Sequence, residues 1–226
     1  MTGVALKLIA AAAMLIDHMG HVLFPGQFWM RYIGRLAFPI FCFLLVEGFI
    51  YTRNLQAYMI RLLISALVSE VPFDLALYGK IFTIEHQNVF WTLLFGLMAV
   101  SVMSMVNFEN IYIRILIQAA SAVPFGVVAQ LLHTDYRWIG VGLISGFYIF
   151  HDAEILKVAS GAFFMLPFFT NEIEYAGVAA FIPIHFYNGR SGVPQGSRGR
   201  VIKIAFYLFY PLHLLTLAVI RDMAWM

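Results

Sequence analysis

The sequence predicts an all-α fold, a polytopic integral membrane bundle of about nine transmembrane helices within a range of about eight to ten. Three observations predict it. Of 226 residues, 62% are hydrophobic and only 12% are charged, whereas a soluble domain carries nearer a quarter charged residues to make its water-facing shell. The apolar residues are gathered into runs long enough to cross a bilayer, divided by short breaker segments. The basic residues sit between those runs and not in one patch, and the net charge of +2 gives no reason to expect a nucleic-acid partner.

The helices are expected near 4–24, 35–51, 57–78, 88–106, 111–131, 136–150, 154–170, 174–187 and 200–220. The first run superficially resembles a secretory signal, yet it holds Asp17, His18 and His21 and lacks a small-residue cleavage site, so it is expected to be a retained span. Pro25 and Gly26 end it. Residues 52–56 divide the second and third helices, and 107–110 divide the fourth and fifth. One stretch, 188–200, has the character of a linker, with Gly189, Gly192, Gly196 and Gly199 among Arg190, Arg198 and Arg200, and Lys203 just beyond. Under the positive-inside rule that cluster is cytoplasmic, and nine spans then put the N-terminus in the cytoplasm and the C-terminus outside. Arg53 and Lys157 agree, while Arg31, Lys80 and Arg137 fall on the other side. There is no internal repeat, low-complexity tract or heptad run. The single cysteine, Cys42, excludes an intrachain disulfide.

A charge near the centre of a spanning helix costs about 2.5–3.5 kcal/mol, so ionisable residues inside the runs mark where chemistry is to be sought. The first helix carries Lys7, Asp17, His18 and His21. From Lys7 to His18 is eleven steps of about 100°, which returns to within roughly 20° of the starting direction after a rise of about 16 Å. Both side chains therefore line one face, His21 shares it, and Asp17 points about 100° away. A cation at the cytoplasmic end with an imidazole half-way across suits an anionic cofactor whose reactive end reaches the histidine. A snorkelling Lys7 and an interhelical hydrogen bond from His18 are the plainer alternatives. The adjacent Asp17 and His18 on an otherwise apolar helix require partners that the helix itself does not offer.

In the second run Pro39 is expected to free a carbonyl and kink the helix. Glu47, near the cytoplasmic end, can pair with Arg53 at the rim or serve a site. Cys42 reads as a small hydrophobe, with an acyl thioester the alternative. Glu70, Asp74, His86, Gln87 and Asn88 meet at the outer surface in the nine-span arrangement, where they form a polar mouth for an acceptor or serve only as interfacial capping, with Asn88 as an N-cap and Trp91 in an aromatic belt. His213 lies inside the last helix beside Pro211, where structural and functional readings are balanced, and His133, His151 and His185 fall at helix ends. No histidine or cysteine pair has a recognised ligand spacing, so no metal is expected.

Several blocks together resemble the TraX family of membrane proteins, named for the enzyme that acetylates the N-terminus of conjugative pilin. They are Lys7 with Met14-Leu15-Ile16-Asp17-His18-Met19-Gly20, the run 35–49 with its Phe38-Pro39-Ile40-Phe41 core and Glu47-Gly48-Phe49 end, Gln87-Asn88-Val89-Phe90-Trp91-Thr92, Tyr187-Asn188-Gly189-Arg190, and 206–214. The family is similar in turn to the larger membrane acyltransferases of the acyltransferase-three type, which carry a basic residue, ten residues and a histidine in the first span. This chain is shorter and has Glu47-Gly48-Phe49 where Ser-Gly-Phe is common. The resemblance implies a single transmembrane acyltransferase-like domain over 1–226 in a bacterial inner membrane, moving acetyl from acetyl-CoA to a pilin or other peptide amine or to an envelope glycan. It implies His18 as base or acyl carrier, with Asp17 as its orienting partner. Lys7, Arg35, Arg53 and Arg190 would meet the coenzyme phosphates, and His21, Glu47, Glu70, Asn88 and His213 would line the site. The partners expected are the lipid bilayer, acetyl-CoA and the acceptor, with self-association compatible. Two other functions fit the same residues: a small proton-coupled transporter, and a non-catalytic assembly component of a conjugation or secretion system.

Overall fold

The computed structural model describes residues 1–166 and 173–224, and no strand occurs among them. The helices are α1 (Gly3–Val22), α2 (Phe28–Gly34), α3 (Ala37–Tyr51), α4 (Leu55–Tyr78), α5 (Val89–Met103), α6 (Ile111–Leu131), α7 (Arg137–Ile149), α8 (Glu154–Phe164), α9 (Phe181–His185) and α10 (Gly196–Ala224), with a 3-10 segment at Glu174–Ala180. By length and composition Gly3–Val22, Phe28–Tyr51, Ile111–Leu131 and Gly196–Ala224 can each cross a bilayer, while Val89–Met103 and Arg137–Ile149 are apolar but shorter. The protein is thus an all-helical polytopic membrane protein. Its exposed surface agrees, because α6 presents Leu116, Val123, Val127 and Leu131 outward and α4 presents Ile64, Leu67 and Val68, side chains that lipid accommodates and water does not.

Two expected helices take a different form. The run at 35–51 starts early as α2 and breaks at Arg35 and Leu36 before α3 resumes. Pro39 accounts for the break: lacking an N–H, it cannot donate to the carbonyl four residues back, at Arg35, so the helix ends there and Pro39 falls in the first turn of α3, where no intrahelical donor is needed. The expected mid-helix kink is therefore a helix boundary. The segment at 174–187 is a 3-10 stretch leading into the five-residue α9, about 20 Å in all, against roughly 30 Å of hydrocarbon. Apolar composition marked it as a crossing, but its geometry is that of a short irregular segment. Of the expected helix 154–170, α8 accounts for the start, and 167–170 lie outside the described residues.

The residues group into two compact units. One contains Met1–Phe41, Leu67–Thr83 and the described part of Thr170–Met226. Its α1 begins under a strap of chain: the N–H groups of Gly3 and Val4 donate to the carbonyls of Arg190 (2.8 Å) and Ser191 (2.9 Å), and Asn188 N–H donates to the Met1 carbonyl (2.9 Å). These bonds satisfy helix N-terminal donors that would otherwise lack partners, and Gly192 at φ +69° lets the strap turn against Thr2. Further along, α1 and α2 approach so closely that a Cβ on Gly34 would lie 2.2 Å from that of Asp17, and one on Gly20 would lie 2.7 Å from that of Met30.

The other unit contains Cys42–Ala66 and Ile84–Phe169 as far as described, and packs α5, α6, α7 and α8 around Leu97, Val100, Met103, Leu143, Ile144 and Phe147. Asn88 caps α5 by accepting from Phe90 N–H (3.0 Å) and donates to the Ala66 carbonyl (2.8 Å). The turn from α6 to α7 holds His133, Tyr136 and Arg137 at positive φ, fastened by bonds from Gln87 N–H to the His133 carbonyl (3.1 Å) and from Asp135 N–H to the Gln87 carbonyl (2.9 Å).

Replacing Gly34 by alanine is expected to force α1 and α2 apart at a cost of about 1–3 kcal/mol, as overpacking does. Thermal melting of the purified protein in detergent measures it. Gly26→Ala, where the added carbon meets nothing within 4 Å, should melt like the parent.

Candidate functional site

Helical periodicity sends the polar residues of α1 to different neighbours. Lys7 and His18 face α10: the Lys7 ammonium lies 5.7 Å from the Phe206 ring centroid, and His18 Nδ1 lies 2.7 Å from Nε2 of His213. Because the earlier residue of α1 meets the earlier residue of α10, the two helices run in the same direction, and one side of their contact carries both predicted groups. Tyr210 meets the His18 ring edge-on at 5.9 Å, and His213, 7% exposed, also places Nδ1 2.7 Å from the Phe209 carbonyl.

Asp17 belongs to another assembly. Its carboxylate pairs with the Arg35 guanidinium and lies 3.1 Å from Arg31 Nε, so it does not orient His18. Arg35 uses its other terminal nitrogen on Glu174, and Arg31 reaches Nδ1 of His21. The side chains of Arg35, Asp17 and Glu174 are 9%, 10% and 14% exposed, which makes this a buried charge network joining α1, α2 and the 3-10 segment. Arg35, expected at the coenzyme phosphates, is enclosed by two carboxylates. His21 is directed to Arg31 and not to His18, although the two share a helix face.

At the end where α1 and α10 begin, Arg190, Arg198, Arg200 and Lys203 are exposed, and Lys203 is close enough to Lys7 to act on its charge. Among the described residues none of these five cations has a carboxylate partner. Arg190 also contributes its carbonyl to the strap over α1.

The remaining expected residues fall in both units. Glu70 is buried on α4, and Asp74, fully buried, accepts from Thr83 N–H at 2.7 Å, all within the first unit. His86, Gln87 and Asn88 lie in the second unit, where Gln87 and Asn88 are occupied by the turn and cap bonds described above. Glu47 does not take Arg53 as its partner: it accepts from Nε2 of His151 at 2.7 Å, and Asp152 lies 2.9 Å from the other ring nitrogen. Lys157 donates to the His151 carbonyl at 3.3 Å. The sequence places His151 only at a helix end, and no local pattern links it to a residue 104 positions earlier. Cys42 is fully buried. Among the described residues no three histidine, cysteine, aspartate or glutamate side chains converge as metal ligands.

A family described as TraX protein matches this chain over residues 2–221. The chain belongs to the TraX family. It is 29% identical over 236 aligned residues to a protein of Dichelobacter nodosus named "Probable fimbrial assembly protein FimC, serogroup H1", covering 92% of this chain and 91% of that one. A shorter match, 55% identical over 38 residues, links 17% of this chain to 15% of an uncharacterised protein of Rickettsia prowazekii (strain Madrid E). No solved structure matches. Within this TraX family member, the blocks around Asp17-His18 and Tyr187-Asn188-Gly189-Arg190 and the stretch 206–214 all fall on α1, its strap and α10 of one unit.

Removing Arg35 leaves two carboxylates buried without their shared cation. Arg35→Gln is expected to destabilise by about 3–5 kcal/mol. Arg31→Gln, at a site 25% exposed, should cost about 0–1 kcal/mol. Melting of a double-mutant cycle with Asp17→Asn checks this, with part of the Arg35→Gln loss recovered when both charges are removed.

Proposed function

We propose that this TraX family member is an acyltransferase that moves an acetyl group from acetyl-CoA to an amine of pilin or a related surface peptide, or to an envelope-glycan hydroxyl, in the bacterial inner membrane. The observation that carries the reading is the alignment of Lys7 and His18 along one side of α1, both against α10, with a rise of about 16 Å between them. Lys7, Arg190, Arg198, Arg200 and Lys203 attract the coenzyme's phosphates from the cytoplasm, and the thioester extends toward His18. Arg35 is left out of that role because Asp17 and Glu174 neutralise it.

The chemistry is a single exchange. His18 accepts the proton of the attacking N–H or O–H as the acceptor's nitrogen or oxygen bonds to the acyl carbon. The carbon–sulfur bond breaks, and the thiolate takes the proton back from the imidazolium, giving acylated acceptor and free coenzyme thiol. The name of the Dichelobacter relative favours a second reading, a fimbrial assembly component without catalysis.

Reconstituted protein incubated with radiolabelled acetyl-CoA and peptide-amine or glycan acceptors separates the two. Transfer is expected to fall by about 10²–10⁴-fold in His18→Ala. Label transfer unaffected by that change, or no transfer from folded protein to any acceptor, would move the reading to assembly. The proposed orientation is checked independently: in a Cys42→Ala background, Ser197→Cys should react with a membrane-impermeant maleimide in inside-out vesicles and stay unlabelled in intact cells.

A further inference from the structure

We infer that His213 is a positioning residue that holds His18 in one tautomer, with Nδ1 protonated and Nε2 bare, so that Nε2 is the atom that takes the proton in the reaction. The inference rests on the acyl-transfer reading for its purpose, but its evidence is a chain of hydrogen bonds.

The chain is read from its closed end. A carbonyl oxygen can only accept, so His213 Nδ1, 2.7 Å from the Phe209 carbonyl, must carry a hydrogen. A neutral imidazole has one N–H, so Nε2 of His213 presents a lone pair. His18 Nδ1 lies 2.7 Å from that lone pair and must be the donor. The ring geometry supports a directed bond over face-to-face stacking: the planes differ by 14°, and the 5.0 Å centroid separation is about what the N···N distance and a ring radius at each side add up to. The rings therefore lie edge to edge in nearly one plane, with the donor hydrogen aimed along the acceptor's lone pair.

The alternative, an imidazolium at His213 donating from both nitrogens, would put a charge at a site only 7% exposed where, among the described residues, no carboxylate bonds to the ring. The carboxylates of Asp17 and Glu174 are taken up by arginine. Among the described residues no group hydrogen-bonds to Nε2 of His18.

Two consequences follow for the chemistry. The orienting role that a carboxylate plays for many catalytic histidines falls here to a second imidazole. The chain also ends at a carbonyl, which cannot take up a proton, so a proton received at Nε2 has no onward route through His213. It must leave by Nε2, as protonation of the departing thiolate requires. A proton relay through His213 would need an acceptor beyond it, and this run of hydrogen bonds ends at the Phe209 carbonyl.

The test reads the tautomer directly. Protein labelled with ¹⁵N-histidine, with His18 assigned by the signal lost in His18→Ala, is placed in lipid nanodiscs for nitrogen NMR. Wild type should show His18 protonated at Nδ1, and His213→Leu should turn that into a mixture of tautomers. In the transfer assay His213→Leu should lower kcat about 10–100-fold, with KM for acetyl-CoA little changed. His213→Gln, whose amide oxygen can accept from His18, should recover most of the loss. His18 protonated at Nε2 in the wild type overturns the inference, as does a His18 tautomer that His213→Leu leaves intact. The wild-type spectrum needs no variant to fold and no activity, so it separates the two ideas. An Nδ1-protonated His18 in a protein that transfers nothing sinks the function and leaves the tautomer standing, whereas transfer by a protein with Nε2-protonated His18 does the reverse.

Discussion

The ion network of Asp17, Arg35 and Glu174 is the constraint around which the first unit is arranged. Away from water an unpaired charge is costly, so one guanidinium shared by two carboxylates from different segments fixes where α1, α2 and the 3-10 segment meet. Glycine makes the pairing feasible: at Gly34 any side chain would occupy the space of the Asp17 carboxylate. Once Asp17 is committed to that side, the helical step of about 100° turns His18 toward α10. Consecutive residues thus serve separate ends, one holding helices together and the other presenting an imidazole.

Much of this was legible in the sequence because it depends on periodicity within one element. The Lys7 and His18 alignment needs only the helix repeat, and both do face α10. The capping role available to Asn88 is likewise local and is realised. What could not be read is pairing across the chain. His213 lies 195 positions from His18 and His151 lies 104 from Glu47, and nothing in the neighbourhood of either residue encodes its partner. The segment at 174–187 shows another limit. Hydropathy counts apolar residues but does not distinguish a 3-10 path from an α-helix, and the length spanned depends on which forms. Pro39 was recognised as disruptive, but its effect depends on its position in the turn. As an interior residue it would kink a helix, and in the first turn it starts one.

Glu47 belongs to a polar cluster of the second unit. Its carboxylate is bound to His151, with Asp152 on the ring's far side and Lys157 on the His151 carbonyl. A serine hydroxyl at this position could accept one hydrogen bond from that ring but could not supply a charge. This cluster lies in the second unit, and the histidine pair lies in the first.

With only 12% of residues charged, how each charge is committed carries information. Asp17, Arg31, Arg35 and Glu174 are paired with one another, and Arg221 closes the end of α4 by donating to the carbonyls of Leu75 and Ala76. Lys7, Arg190, Arg198, Arg200 and Lys203 differ: among the described residues they meet no carboxylate, yet they gather where α1 and α10 start. A group of like charges repels itself, and that cost is offset when something anionic arrives. Positive-inside topology accounts for cations at a cytoplasmic end but not for Lys7, which lies a turn inside α1 on the side that also bears His18. Under the proposed reading a ligand with phosphates at one end and a thioester at the other would meet both features of α1 at once, displacing or adding to the Phe206 ring against which Lys7 packs.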